Sequence, residues 1–223
     1  MNLIRIQVEG IKKSYGRRLV LDGVSFSASS GECILLSGSN GSGKSTFLKI
    51  LSGILKPDSI TNFEINGEKI LDSSLSFKKD IGYCAHQPML YPDLSAKENL
   101  IFFCRLYHVS QTDKVVTNWL KKANLYSYAD DPLRTFSRGM IQRTAIIRSL
   151  IHQPSILLFD EPFTGLDQTG KTFLSDIICS EKEKGSSIII TTHNFEELNN
   201  IATRNVEMLK GILYEKVLIK TGK

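Results

Sequence analysis

The chain has 223 residues, of which 41% are hydrophobic and 23% are charged, and its formal net charge is +5. These proportions are typical of globular proteins, so they exclude a fibrous protein and a wholly disordered one. The small positive charge is compatible with a membrane surface or nucleic acid as a partner, but an excess of this size seldom specifies one.

No segment predicts a membrane span or a secretory signal. Apolar runs such as residues 156–159 and 188–190 fall far short of the roughly 18 residues that a spanning helix needs. The N-terminal sequence MNLIRIQVEG carries charges where a secretory signal requires an apolar run. We therefore expect no export of this chain, and we expect any association with a membrane to come through a partner.

The cysteines are spread along the chain, at Cys33, Cys84, Cys104 and Cys179. They form no CxxC pair, and no histidine accompanies them at a spacing typical of metal ligands. Buried, reduced thiols are therefore expected at all of these positions, which is the pattern typical of a cytosol-like compartment.

The first thirty residues alternate apolar and polar positions, with Gly16 and Gly23 between the apolar runs. This pattern predicts an antiparallel β layer with one exposed face. The next segment, CILLSGSNGSGKSTFLKILSGIL, passes from a short apolar run through a glycine-rich turn into an amphipathic pattern. It predicts a strand, a loop and a helix, which together start an α/β core.

Helical periodicity extends from about residue 99 to residue 151 and predicts a helical lobe. The candidate inward positions in this lobe are Trp119, Leu120, Leu125, Ile146, Ile147 and Leu150. Two short apolar runs follow, SILLFD and SSIIITTH, and they predict central strands of a parallel sheet that is covered on both faces. Lys210 and Gly211 then divide a hairpin-like pattern near the C-terminus.

The sequence has no internal repeat and no proline-rich linker, so it predicts a single domain over residues 1–223. Within this domain, residues 1–85 would form the antiparallel β layer and the glycine-rich part of the core. Residues 86–151 would form the helical lobe, and residues 152–223 the remainder of the α/β core.

Gly38, Gly43, Lys44 and Ser45 match the pattern GxxxxGK[ST] between the apolar run and the predicted helix. In that context backbone N–H groups and the positive end of the helix dipole can surround phosphate oxygens, and glycine permits the close approach. An ordinary glycine-rich turn would need neither the lysine nor the hydroxyl at these offsets. Lys44 would reach the β- and γ-phosphates, and the Ser45 hydroxyl would ligate Mg²⁺. The predicted ATP-binding residues are Gly38, Ser39, Asn40, Gly41, Ser42, Gly43, Lys44, Ser45 and Thr46.

Two carboxylates, Asp160 and Glu161, stand at the end of the apolar run 156–159. The carboxyl end of a parallel strand is where α/β proteins bind their ligands, so both side chains are expected to face the phosphate loop. Asp160 would hold Mg²⁺ through a water, and Glu161 would orient and polarise the attacking water. Taken alone, an acidic strand end is more often a turn or a helix cap.

The segment FSRGMIQR at residues 136–143, shortly before ILLFDEP, resembles the signature sequence of ABC-transporter ATPases. The resemblance extends over essentially the whole chain and includes Gln87, residues 165–167 and His193 in family order. It implies an α/β fold: a P-loop NTPase (RecA-like) core with a parallel sheet, an N-terminal antiparallel β layer and a helical lobe. It also implies an enzyme that hydrolyses ATP, forms a head-to-tail homodimer and powers a separate integral membrane transporter subunit.

The resemblance further implies roles for residues outside the phosphate loop. His193 would reach the γ-phosphate, and Gln87 would touch Mg²⁺ or the attacking water in a loop that contacts the membrane subunit. Tyr15 would stack on adenine. Each of these residues also has an alternative interpretation. His193 could be a histidine of the core or of a turn, Gln87 could have no role at the site, and Tyr15 could be an ordinary aromatic residue of a strand.

In the resembled family, the signature segment opens a helix whose N-terminus faces the γ-phosphate bound by the opposite subunit. The residues that would make this trans contact here are Ser137, Arg138, Gly139, Met140 and Gln142. Asp167 would lie in a loop at the dimer interface. Arg138 stands where the commonest pattern has glycine, and Met140 stands where it has glutamine. Whether Arg138 contacts nucleotide, partner or solvent stays open at this point.

The segments 86–107 and 136–143 resemble those of the ATP-binding subunit of the cytochrome c maturation system. This resemblance leads to the hypothesis of a haem exporter. Similar SxGM signatures occur in drug and polysaccharide exporters, so that alternative stays open. In either case the chain would lie peripherally on the cytoplasmic face of the inner or plasma membrane, or on the matrix side in an organelle.

Two function classes outside transport fit less well. A soluble ABC ATPase that acts on nucleic acid or ribosomes would be compatible with the small positive charge, but such proteins usually carry two cassettes or long coiled-coil insertions. A P-loop kinase for a small molecule would leave the signature segment and Gln87 unexplained. We therefore expect ATP, a second copy of the chain and an integral membrane subunit as partners, Mg²⁺ as the cofactor, and no direct contact with nucleic acid.

Overall fold

The computed structural model describes residues 3–70, 76–192, 198 and 200–216 of the protein. Within these ranges the chain forms two β-sheets and five α-helices. Every helix in the same ranges is too short or too polar to cross a bilayer.

The first sheet is an antiparallel layer built mainly from the N-terminal residues. Its strands are β1 (Ile4–Tyr15), β2 (Arg18–Ser29), β4 (Asn62–Ile65) and β5 (Glu68–Lys69), in the order β2-β1-β4-β5. β1 and β2 form a hairpin whose turn begins with Gly16 at a φ of 59°. Ile6, Val8 and Ile11 are buried along β1. The predicted antiparallel β layer is therefore confirmed.

The second sheet is mostly parallel. Its strands are β3 (Cys33–Ser37), β6 (Ile81–Cys84), β7 (Ile156–Asp160), β8 (Ser187–Thr191), β9 (Arg204–Leu209) and β10 (Ile212–Lys216), in the order β10-β9-β3-β8-β7-β6. The strands β3, β6, β7 and β8 are buried throughout, as the apolar runs predict for β7 and β8. β10 pairs antiparallel to β9 across a turn in which Lys210 and Gly211 have φ values of 48° and 78°, which is the geometry of a tight hairpin.

The helices are α1 (Lys44–Leu51), α2 (Ala96–Leu106), α3 (Thr112–Lys122), α4 (Arg138–Leu150) and α5 (Gln168–Glu183). α2 begins with a capping box, in which the Ser95 hydroxyl accepts from the Glu98 N–H and the Glu98 carboxylate accepts from the Ser95 N–H. α2 packs against α3 and α4, and these three helices form the helical lobe. Of the predicted inward residues, Trp119 is partly buried and the others are buried, namely Leu120, Leu125, Ile146, Ile147 and Leu150.

The parallel sheet separates two hydrophobic cores, because alternate side chains of a strand point to opposite faces. Leu157 and Phe159 of β7 belong to the core shared with the helical lobe, whereas Ile156 and Leu158 belong to the core under the antiparallel layer. The predicted fold class, an α/β core with these two flanking parts, is confirmed. The subdivision of the domain at residues 85 and 151 stays a prediction.

Three of the cysteines, Cys33, Cys84 and Cys104, are buried free thiols. Burial raises the pKa of Cys33 and Cys84 to about 12 and that of Cys104 to about 11. The prediction was wrong for Cys179, which is a free but exposed thiol. Its neighbour Ile178 is buried on the inner face of α5, and the next helical position lies about 100° further round the axis, toward solvent.

Candidate nucleotide-binding site

The phosphate loop leaves the carboxyl end of β3 and enters α1 through glycines in left-handed backbone conformations. Gly38, Gly41 and Gly43 have φ values of 140°, 73° and 113°. A Cβ atom on Gly38 would lie 2.5 Å from the carbonyl oxygen of Met208, and one on Gly43 would lie 2.9 Å from a methyl carbon of Leu21. Both the backbone conformation and the surrounding space therefore require glycine at these two positions.

The side chain of Lys44 lies within the phosphate loop. Its ammonium group donates to the carbonyl oxygen of Gly38 at 2.7 Å and to that of Ser39 at 3.0 Å. Burial lowers the pKa of Lys44, while the nearby carboxylates of Glu161 and Asp160 act in the opposite direction. The loop thus combines a buried cation with the N-terminus of α1, whose first turn contains no acidic residue, and it can attract an anionic ligand.

Asp160 lies at the end of β7, where it accepts hydrogen bonds from two hydroxyl groups. Ser45 Oγ, on the first turn of α1, is 3.1 Å from Asp160 Oδ1, and Thr191 Oγ1 is 2.8 Å from the same atom. Asp160 and Thr191 are opposite each other in the parallel pair β7 and β8. The structure therefore brings together Ser45 and Asp160, two of the three residues predicted at the magnesium site, with their oxygen atoms in contact.

The chemistry of this pair fits Mg²⁺, which prefers oxygen ligands and usually binds one or two protein groups together with phosphates of a substrate. Within the part of the chain that the structure describes, no cluster of three or more His, Cys, Asp or Glu side chains could hold a metal by itself. A cation at Ser45 and Asp160 would thus need further oxygen ligands from a nucleotide and water.

Glu161 follows Asp160 with a φ of 52°, so the chain turns sharply at the end of β7. Its backbone N–H donates to Thr191 O at 3.1 Å and to Thr191 Oγ1 at 2.9 Å. Its side chain is 26% exposed, and the carboxylate oxygen Oε2 lies 4.0 Å from Nδ1 of His86. The turn places Glu161 in the same cleft as Lys44.

This cleft, with a volume of about 280 Å³, is where most of the predicted ATP-binding residues meet. Its walls include Tyr15, Asn40, Gly41, Gly43, Lys44, Ser45, Thr46 and Glu161. Tyr15 is exposed at the end of β1, so its ring is available for stacking. Arg18, across the hairpin turn, also lines the cleft and donates to the carbonyl oxygen of Gly41 at 3.1 Å.

Other predicted residues lie around the cleft or beyond the described ranges. Ser39 is exposed, whereas the hydroxyl of Ser42 is buried without a hydrogen-bond partner among the described residues. Gln87 is exposed in the bend that follows β6, at the same sheet edge as Asp160. His193 lies outside the described residues.

The signature segment forms the start of α4. Ser137 is its N-cap, and its hydroxyl accepts from the Met140 N–H at 3.3 Å. Ser137 and Arg138 are exposed and Gly139 is half-buried, so the helix start is accessible to a second molecule. The side chain of Met140 packs partly buried against the core of the helical lobe.

The position of Gln142 differs from the one that the implied trans contact would require. Its side chain is buried and its amide donates to Pro162 O at 3.1 Å within the same chain. A buried amide group needs a hydrogen-bond partner. The bond to Pro162 provides one and joins α4 to the segment after β7. Asp167 also has an intrachain role, since its carboxylate accepts from the Gly170 N–H at 2.8 Å as the N-cap of α5.

Sequence reasoning missed Thr191, Arg18 and His86. Thr191 stands at the carboxyl end of the predicted strand SSIIITTH. The acidic pair was expected at the carboxyl end of a parallel strand in the same sheet, so a hydroxyl at this end was the available signal. Arg18 follows Tyr15 across a glycine turn, and His86 precedes Gln87. Arg18 belongs to no motif used above, and His86 lies in the segment 86–107 without a role having been predicted for it.

Comparisons with known proteins identify the family to which this chain is similar. The family model described as ABC transporter matches residues 21–164. The linearmycin resistance ATP-binding protein LnrL of Bacillus subtilis is 35% identical over 201 residues, which cover 89% of this chain and 64% of that protein. The Nod factor export ATP-binding protein I of a Rhizobium species is 35% identical over 206 residues, which cover 92% of this chain and 67% of that protein. The chain thus spans about two thirds of the length of these relatives.

Solved structures give the same result. An ATP-binding subunit of an ABC transporter superposes with a TM-score of 0.88 at 27% identity, covering 96% of this chain and 90% of that one. The dimeric cassette MJ0796, in a post-hydrolysis state with ADP and Pi, superposes with a TM-score of 0.86 at 28% identity, covering 96% of this chain and 98% of that one. The chain therefore belongs to the ABC transporter family and is one of its ATP-binding cassettes, the ABC ATPases.

Proposed function

We propose that this chain binds ATP with Mg²⁺ and hydrolyses it as the ATP-binding subunit of an ABC transporter. The observation that carries the proposal is the contact between Ser45 and Asp160 at the mouth of the phosphate loop, with Lys44 and Glu161 in the same cleft. A phosphate-binding cation, oxygen donors suited to Mg²⁺ and a carboxylate that can orient water are the components that phosphoryl transfer to water requires.

Each group has a distinct role in this proposal. Lys44 and the N–H groups of the loop bind the β- and γ-phosphates, while Ser45 and Asp160 hold the magnesium site, with Gln87 approaching it from the bend after β6. Bound Mg²⁺ would neutralise charge on the phosphates. Glu161 orients the attacking water, because its carboxylate is turned into the cleft by the backbone at the end of β7.

A second copy of the chain completes the site in this proposal. The N-terminus of α4, with the exposed Ser137 and the half-buried Gly139, is suited to contact an anionic phosphate on the partner. Dimeric cassettes among the structural relatives support this arrangement. His193, by family resemblance, would contact the γ-phosphate, and Tyr15 would stack on adenine.

Exposed apolar side chains on the segment that follows Gln87 and on α2 support contact with a membrane subunit. Met89, Tyr91, Phe102 and Leu106 are all exposed, and the Tyr91 and Phe102 rings pack edge to face with centroids 5.3 Å apart. Large exposed apolar side chains that contact one another, as Tyr91 and Phe102 do, are typical of an interface. We therefore infer that the cassette lies peripherally at the cytoplasmic face of a membrane, or at the matrix side in an organelle.

The transporter that this cassette would power is best assigned to the exporters. The relatives are named for linearmycin resistance and for Nod factor export. These names favour a drug or polysaccharide exporter, which was the alternative to the haem exporter. They give no support to cytochrome c maturation.

The proposal is tested with the purified chain by measuring ATP affinity and phosphate release with and without Mg²⁺. We expect Mg²⁺-dependent binding and hydrolysis, and Lys44→Ala should weaken both strongly, because a buried cation in the phosphate loop is removed. Lys49→Ala is the matched control, since Lys49 lies on the exposed side of α1. A wild-type chain without affinity for magnesium-ATP would overturn the proposal.

A further inference from the structure

A second cavity, of about 290 Å³, lies beside the carboxylate of Glu161. The bend after β6 contributes His86 to its wall, the first turn of α4 contributes Arg138, and the segment after β7 contributes Glu161 and Thr164. The cavity is therefore the place where the signature segment approaches, within one chain, the carboxylate that we propose to orient water.

Residues 161–167, named here the Glu161 loop, join β7 to α5. Inside the loop, the Thr164 N–H donates to Glu161 O at 3.2 Å and the Leu166 N–H donates to Phe163 O at 3.2 Å. These short-range bonds give the loop its internal shape. Its orientation relative to the cleft depends in addition on contacts with neighbouring elements.

The first turns of α4 supply such contacts. Gln142 donates to Pro162 O, as described above, and a Cβ atom on Gly139 would lie 3.2 Å from Gly165 O. The aliphatic stem of Arg138 covers Gly165, because a Cβ atom there would lie only 2.7 Å from Arg138 Cδ and 2.8 Å from its Cγ. α4 therefore contacts the Glu161 loop near its start and near its middle.

The helix itself does not favour arginine at position 138. Arg138 is the first residue of α4, and the first turn of that helix contains no acidic residue. A helix N-terminus carries partial positive charge, so a guanidinium group there is disfavoured by the helix dipole. The packing of the stem on Gly165 gives the residue a structural reason that the helix alone does not provide.

We propose that Arg138 is a positioning residue, whose stem holds Gly165 and thereby keeps the Glu161 loop in the orientation that hydrolysis requires. The proposal rests on the role of Glu161 proposed above. It assigns Arg138 an intrachain role, whereas the alternative is a direct contact of its charge with the nucleotide on the partner.

Two substitutions separate the stem from the charge. Arg138→Met keeps an aliphatic stem without charge, and Arg138→Ala removes both. If the stem acts by positioning, Arg138→Ala should lower kcat by about tenfold, since small misplacements of catalytic groups have effects of this size or larger. KM for ATP should change little, and Arg138→Met should restore kcat to about that of the wild type. Equal loss of kcat in both variants would overturn the proposal in favour of a role for the charge.

A double substitution tests the contact itself. Gly165→Ala adds a methyl group where the Arg138 stem lies, so its loss of kcat should be smaller in the Arg138→Ala background than in the wild type. Gly67→Ala is the matched control, because Gly67 has a φ of 80°, close to the 82° of Gly165, but nothing lies within 4 Å of its added Cβ. Gly67→Ala should leave kcat unchanged in both backgrounds. Additive effects at positions 138 and 165 would overturn the proposal.

The outcome is distinguishable from failure of the proposed role of Glu161. In a Glu161→Gln background, Arg138→Ala should cause no further loss of kcat, because the group that it positions is already absent. If Glu161→Gln alone left hydrolysis intact, the role of Glu161 would fail. Coupling between positions 138 and 165 would then still report whether the packing contact affects turnover.

Discussion

Glu161 adopts a left-handed backbone conformation, with a φ of 52°. For a residue other than glycine such a conformation costs roughly 1–3 kcal/mol, and it persists where the surroundings hold it. Here the Glu161 N–H donates to both the carbonyl and the hydroxyl oxygen of Thr191. The resulting turn directs the carboxylate into the cleft that Lys44 and Ser45 line. The role that we propose for Glu161 therefore depends on a strained backbone position.

Glu161→Gln preserves the size of this side chain and removes its ability to accept a proton. We expect hydrolysis to slow by about 10²–10⁴-fold, while the affinity for ATP stays close to that of the wild type because the phosphate loop is unchanged. Phosphate release and nucleotide binding, measured on the same preparation, check this. Glu183→Gln, at an exposed position of α5, serves as the control, and near-normal turnover of Glu161→Gln would refute the role.

At this scale, local sequence patterns pointed to Ser45 and Asp160 as site residues but not to Thr191. The first two stand in motifs whose residue types are required by phosphate and magnesium, so the pattern indicates the chemistry. Thr191 contacts Asp160 because of the register between β7 and β8. Register between strands far apart in sequence depends on tertiary packing, and no local pattern of this chain specifies it.

At the scale of elements, the C-terminal end of α4 is joined to β6 and α2. Arg148 donates to Tyr83 O, and Nε2 of His152, just beyond the helix, lies 3.1 Å from Ile81 O. The His152 ring stacks on Tyr107, with ring centroids 3.9 Å apart. Burial lowers the pKa of His152 to about 4, with a smaller contribution from Arg148 in the same direction. The ring is therefore neutral at neutral pH.

This histidine predicts an acid-sensitive stability. Above pH 6.5, the ordinary pKa of histidine, the ring is neutral in both the folded and the unfolded chain and has no effect on stability. As the pH falls toward 4, only the unfolded chain takes up a proton at this histidine, so folding is disfavoured. At pH 5 the free energy of unfolding should be lower than at neutral pH by about 2 kcal/mol from this group. His152→Phe keeps a ring against Tyr107 but cannot titrate. Urea unfolding of both proteins at the two pH values should show a larger loss for the wild type, and parallel losses would contradict the expectation.

The elements themselves could largely be predicted, because alternation and helical periodicity follow from which side chains must be buried. Which way an individual residue faces was less accessible. Cysteine is usually buried, yet Cys179 is exposed because its place on α5 follows the buried Ile178. Gln142 is directed inward to Pro162, since α4 packs beside the segment after β7. Such orientations depend on how two elements approach, which the sequence of either one does not determine.

At the scale of the whole molecule, the nucleotide cleft and the cavity beside the signature segment share Glu161 in their walls. The residues that line the nucleotide cleft come from the β1–β2 hairpin, the phosphate loop and Glu161, whereas the first turn of α4 lines the second cavity. We propose that the hydroxyl of Ser137 serves a nucleotide on another copy of the chain, because the signature segment contributes its residues to the second cavity and not to the nucleotide cleft. Two cassettes arranged head to tail would each supply what the other needs, with two sites formed together.

This arrangement predicts that hydrolysis depends on association. The rate per subunit should rise with protein concentration and level off once dimers predominate, because only a dimer contains a complete site. Ser137→Arg, which places a large side chain at the helix N-terminus, should abolish the rise while leaving ATP binding by the single chain intact. Sedimentation velocity with magnesium-ATP, run beside phosphate release, relates rate to assembly state. A constant rate per subunit in a demonstrably monomeric sample would show that one chain suffices, and the trans role of Ser137 would then have to be abandoned.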